Sequence, residues 1–92
     1  MKSVWNIKKK YFIRTVTMAL TGELVAVTPQ ELVLNNAAWI ADTGRFASFI
    51  RGDLSSSSIE IEPFPDKKLV ILGRNSIIDA VEWNYPLPRE QK

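Results

Sequence analysis

Apolar and polar positions alternate along the first third of the chain with the two-residue period of a pleated strand. From Tyr11 to Leu20, Phe12, Val16, Met18 and Leu20 fall on one side and Ile13, Thr15, Thr17 and Ala19 on the other, with Arg14 interrupting the first side. The spacing predicts one strand over this stretch. Gly22 then breaks a run that resumes with Leu24, Val25, Ala26 and Val27, and an isolated glycine inside a strand pattern marks a bulge or sharp bend. Thr28, Pro29, Gln30 and Glu31 predict a tight turn, with proline fixing φ at its start, and Leu32 to Leu34 open the return strand of a hairpin.

Beyond Asn35 and Asn36 the period lengthens. Phe46, Phe49, Ile50 and Leu54 recur at three and four residues, Asp42 or Thr43 is placed to cap a helix, and Gly52 stands where helices commonly end. Residues 42–54 therefore read as a helical insertion of about two turns. Ser55 to Ser58 are a polar hinge, and Ser58, Ile59, Glu60, Ile61 and Glu62 alternate as a half-exposed strand limited by Pro63 and Pro65. Asp66, Lys67 and Lys68 make an exposed turn, Leu69 to Leu72 an apolar strand, and Gly73 to Ser76 a second turn. A last strand runs from Ile77 to about Trp83. Tyr85 to Lys92, with Pro86 and Pro88, is an extended tail unfit for a central strand, because proline has no N–H to donate. About five to six strands and one short helix result, a mainly β chain without internal repeats.

The 92 residues are 46% apolar and 24% charged, the mixture of a folded chain, and the length suits one domain over residues 1–92. Such a small domain buries only about 60% of the surface that its unfolded chain exposes, so a further source of stability is expected. Cysteine and histidine are absent, which removes disulfides, thiolate metal sites and the usual zinc ligands. No metal or other cofactor is expected, and self-association is left as the source. No apolar run approaches the ~20 residues that cross a bilayer, and the first residues lack the apolar stretch of a secretion signal. These features point to a cytoplasmic protein with no membrane partner. The net charge of +2 is too small to imply nucleic-acid binding by itself.

Two segments resemble the paired motifs of the Sm-like (Hfq/LSm-type) family of ring-forming, RNA-associated β-barrels. Gly22, Leu24, Val27, the Thr28–Glu31 turn, Leu32, Val33, Leu34 and Ala37 follow the order of the first motif. Val70, Ile71, Leu72, Gly73, Arg74, Asn75, Ile77, Ile78 and Val81 follow that of the second. The match covers about half the chain. It implies a small, strongly bent barrel of the SH3 or Sm type, with the helix inserted between the third and fourth strands. It also implies a homo-oligomeric ring with RNA at the pore. The chain departs from the family where Thr28 and Glu31 replace the usual Asp and Asn of the first motif, where Gly73 precedes Arg74, and where no glycine turn lies between Tyr11 and Thr21.

By this resemblance Arg74 and Asn75 face the pore, the guanidinium pairing with phosphate and the amide reaching a base edge; the plainer reading is an ordinary exposed turn. Lys8, Lys9 and Lys10, with Lys2, form a basic N-terminal arm (residues 1–10) beside Trp5 and Tyr11. Cations among aromatics suit single-stranded RNA, and the alternative is a solvated, frayed arm. Trp39 and Trp83 read as core or subunit-interface residues, while Trp5 is undecided. Glu60 and Glu62 form a solvated strand face. The Ser55–Ser58 run lacks a histidine base to activate a hydroxyl, and the four glycines are too dispersed for a phosphate loop, so no enzymatic activity is expected. The chain thus reads as an RNA-binding ring protein. The alternative is a structural or accessory module that docks on a protein partner, of the kind phages and mobile elements carry.

Overall fold

The long alternating stretch folds as two strands, β1 (Lys10–Thr15) and β2 (Ala19–Val27). The computed structural model, which describes residues 4–92, thereby corrects the single strand expected from Tyr11 to Leu20. The reversal at residues 16–18 contains no Gly, Pro or Asn, and Thr15 closes it. The Thr15 N–H donates to the Met18 carbonyl at 2.7 Å, while Thr15 Oγ1 accepts from Met18 N at 3.0 Å and Thr17 N at 3.3 Å. A hydroxyl bonded to the next backbone amides mimics a turn and competes with strand ladders. Val16 and Met18 carry the alternation across the reversal while lying exposed.

β2 returns along β1 with Ile13 opposite Leu20 and Tyr11 opposite Gly22. The expected bend at Gly22 is present: the β2–β3 register shifts between Thr21 and Glu23. A Cβ at position 22 would stand 3.1 Å from the Leu34 Cβ and 3.4 Å from the Ala37 Cβ, so the missing side chain is what lets the two strands close on each other. The Thr28–Glu31 turn forms as the sequence predicts, with Thr28 N donating to the Glu31 carbonyl at 2.9 Å. β3 (Glu31–Asp42) runs well past the expected return strand. Asn36 takes a left-handed φ of 51°, a region that asparagine tolerates better than most residues. The extra residue bulges opposite Gly22, and the ladder continues.

That length lets β3 serve two partners. Its first part pairs with β5 (Val70–Gly73) and its second with β4 (Glu60–Pro63). β6 (Ile77–Glu82) pairs with β1, which gives the order β4-β3-β2-β1-β6 with β5 beside β3. These three strands lie where the alternation placed them. The barrel expectation fares differently, because no ladder joins β5 to β6 and the sheet stays open. A 3-10 turn, Arg74–Ser76, carries the chain from one to the other. Its backbone bonds go elsewhere, Arg74 N to the Gln30 carbonyl at 2.9 Å and the Ser76 carbonyl to Val16 N at 3.0 Å. The turn bridges the two ends of the sheet without a strand pair.

Both faces of the sheet are covered, so β1 buries Tyr11, Phe12 and Ile13 in succession rather than alternately. One face holds Tyr11, Ile13, Leu20, Leu24, Leu32, Leu34, Ala37 and Leu72. The other holds Phe12, Ala38, Ile40, Phe49, Ile59, Ile61 and Trp83, with Leu54, Tyr85 and Leu87 against them. The second face is built by the insertion and the tail. The helix there, α1 (Phe46–Phe49), is one turn rather than the two expected over residues 42–54, and Arg45 begins it without a side-chain cap. Asp42 ends β3 instead, its Oδ1 accepting from Gly44 N at 2.8 Å. Gly52 ends the turn as expected, at a φ of 85°. A Cβ there would meet the Tyr85 ring at 2.6 Å.

Candidate functional site

Arg74 follows β5, and the ladder that sets Glu31 opposite Gly73 delivers its side chain to the turn between β2 and β3. Its Nη1 donates to the Thr28 carbonyl at 2.7 Å, while its backbone N–H holds Gln30. The turns of the two motif-like segments therefore meet. Among the described residues no other Arg74 side-chain atom has a protein partner, so Nε and Nη2 remain for a ligand. Asn75 is exposed beside it.

The lysines lie elsewhere. Lys10 opens β1, opposite Glu23, while Ser76 bonds to Val16 beyond the other end of β1. Six residues of strand separate the two groups, about 20 Å at the usual rise. Nor is the arm frayed over its described part. Lys8 N donates to the Leu24 carbonyl at 2.7 Å, the Lys9 carbonyl accepts from Leu24 N at 2.9 Å, and Asn6 N donates to Tyr11 Oη at 2.8 Å. Two of the three ammonium groups are engaged, Lys9 Nζ with Glu82 at 3.1 Å and Lys10 Nζ with the Tyr85 carbonyl. Only Lys8 projects without a side-chain partner among the described residues. Lys2 lies outside them. Tyr11 is buried, with the Trp5 ring packed edge-on at 5.0 Å, so its face is closed to a stacked base.

Among the described residues two strand edges are open. β6 pairs on one side only, with β1, and β5 on one side only, with β3; alternate amides and carbonyls on each free side point away from the sheet. Large apolar side chains accompany them: Leu69 and Ile71 at β5, Ile78 and Val81 at β6, with Ile71 68% and Ile78 65% exposed. A groove of about 390 Å³ runs between Val4 and Trp5 and the edge of β6, lined by Ile77, Ala80 and Val81 and by the carboxylates Asp79 and Glu82. Consecutive residues 79–82 line it, which places it along the strand rather than on one face.

Asp79 and Arg14 face each other across β1 and β6 and form a two-pronged pair, Nε to Oδ1 at 2.8 Å and Nη2 to Oδ2. The paired guanidinium, which also stacks over Phe46 at 5.0 Å, holds the Asp79 carboxyl below its ordinary range, and the carboxylate raises Arg14 in turn. Asp53 is lowered by the hydrogen bonds it accepts from Ser55.

Of the tryptophans, Trp83 is buried in the second face, as expected of a core residue, whereas Trp39 is 42% exposed on β3. Glu60 and Glu62 occupy the solvated side of β4, as the alternation predicts. Among the described residues no group of acidic side chains is gathered to hold a metal ion, and no helix is long and apolar enough to cross a membrane. The two open edges were not legible as sites, since exposure of Ile71 and Ile78 depends on which strands remain unpaired. No family model matches the chain, and neither a curated protein nor a solved structure does.

Proposed function

We propose that the protein is a non-enzymatic, self-assembling module of the Sm-like kind, whose copies join head to tail through the free edges of β5 and β6. The observation that carries this reading is the pair of unpaired, apolar strand edges placed at either side of the Arg74–Ser76 turn. Strand addition supplies backbone hydrogen bonds together with burial of Leu69, Ile71, Ile78 and Val81. A heterologous contact of this type gives a ring where the rotation closes, and the turn of each copy would then complete the barrel outline and repeat around one pore. Arg74 and Asn75 would present single-stranded RNA with a guanidinium and an amide at that pore.

A second reading rests on the β6 groove. Its two carboxylates are already paired, Asp79 with Arg14 and Glu82 with Lys9, and its apolar lining suits an extended peptide of a protein partner.

One purified protein tests both. Light scattering at micromolar concentration should return a multiple of the chain mass, and Ile71→Lys combined with Ile78→Lys should reduce it to one chain. A labelled uridine- or adenosine-rich oligonucleotide should show a salt-sensitive anisotropy rise that Arg74→Ala weakens. A monomeric wild type removes the ring. Assembly without any anisotropy change removes RNA and leaves the protein partner.

A further inference from the structure

The third edge of the sheet, at β4, is not open. Ile61 N donates to the Lys92 carbonyl at 2.9 Å and Lys92 N to the Ile61 carbonyl at 3.0 Å, the reciprocal exchange of a hydrogen-bonded antiparallel pair. Gln91 Nε2 reaches Glu62 at 3.3 Å. The segment is brought there by Arg89, whose guanidinium donates to the carbonyls of Ala37 at 2.7 Å and Phe64 at 2.8 Å and to Asp66 at 3.0 Å. Leu87 is seated on the second face, and Trp83 Nε1 holds the Pro86 carbonyl at 3.2 Å. Between this segment and the body lies a groove of about 530 Å³ lined by Leu54, Ile61, Leu87 and Arg89.

We propose that residues 89–92 are a releasable strap that occupies the β4 edge and withholds it from a second copy, with Arg89 as its latch. The coverage is local: beyond Leu87 and Pro88, which are packed against the body, one reciprocal pair at Ile61, the Gln91–Glu62 contact and one guanidinium hold what is otherwise irregular chain, and a short contact of this sort opens at far less cost than the sheet. Three acceptors converge on a single side chain, so one event that removes the guanidinium loosens residues 89–92 and leaves Tyr85 and Leu87 on the second face. The uncovered strand would show an incoming chain the N–H and C=O of Ile61 beside the apolar groove. The strand able to enter is the β4 of another copy with its strap likewise released, since head-to-tail joining already occupies β5 and β6. Head-to-tail joining of β5 and β6 uses two edges and closes, whereas a third edge makes branched or open assemblies. This inference adds to the proposed assembly but does not need it, because a monomer with its strap released would also associate.

Hydrogen exchange at the Ile61 amide, read together with light scattering on the full chain, tests it. Arg89→Ala should speed Ile61 exchange about tenfold or more while the amides of β1 and β2 stay protected, and should raise the mass above that of the unmodified protein at equal concentration. Lys92→Pro, which removes one donor of the pair and leaves Arg89 in place, should do the same to a lesser degree. Unchanged Ile61 exchange in both variants would overturn the strap. Faster exchange with no gain in mass would overturn its role in withholding an edge. Either result is independent of whether the wild type forms a ring, which its own mass decides.

Discussion

The two faces of the sheet are built by different means. The first is largely aliphatic and is lined by residues that the β1–β2–β3–β5 ladders place together. The second is aromatic, with Phe12, Phe49, Trp83 and Tyr85 in a chain of ring contacts 5.0–5.1 Å apart, and it is roofed by the insertion and the tail. Regular strands assemble the first face from local alternation. Segments without regular structure assemble the second, so it depends on single anchoring contacts. Yet Phe12, Ala38 and Ile40 belong to strands that also line the first face, and the two are therefore expected to unfold together.

Truncating the roof is the strongest way to break that comparison. Phe49→Ala should cost about 3–5 kcal/mol, and urea transitions followed by far-ultraviolet circular dichroism and by tryptophan fluorescence should shift together. If fluorescence moves first and the sheet signal stays, the faces are separate units. Glycines sharpen it next. Gly52→Ala should cost about 2–4 kcal/mol, because a side chain in left-handed backbone is strained and its Cβ would drive into the Tyr85 ring. On the first face, Gly22→Ala should cost only about 1–2 kcal/mol by the same denaturation, since its φ is ordinary and only the approach to Leu34 is tight.

The smallest effect concerns acid. Asp79 is depressed in the folded chain by Arg14, so its contribution is present above the ordinary carboxylate range and is lost as pH falls through the lower folded value. The pair is solvent-exposed, so the loss is slight. Asp79→Asn should flatten part of the decline in melting temperature below about pH 4, and a melting curve with unaltered acid slope would remove this pair from the account.

Much of the sheet was legible in the residues. Ile59 and Ile61 against Glu60 and Glu62 declared a strand with one wet side, and Gly22 declared a bend. The reversal at Val16–Met18 was illegible because Thr15 does with a hydroxyl what glycine or asparagine more often signals. The length of β3 was hidden by Asn36, which marks a turn when read alone and a bulge when a neighbouring strand continues. At the candidate site, the sequence named Arg74 and Asn75, and the structure adds that Arg74 ties its turn to Thr28 and Gln30. The lysines looked alike in sequence and differ in space, because strand register, which spacing does not encode, gives Lys9 and Lys10 their partners.

The pairing of Tyr11 with Glu82 has a consequence for the order of events during synthesis. β1 is synthesised before the other strands and receives its last neighbour, β6, only after all of them, since contacts this distant in sequence close late. Until then Phe12 and Ile13 stand wet on opposite sides of a half-made ribbon. Nascent chains stalled between Asp66 and Val70 should for that reason bind holdase chaperones more strongly than chains released whole.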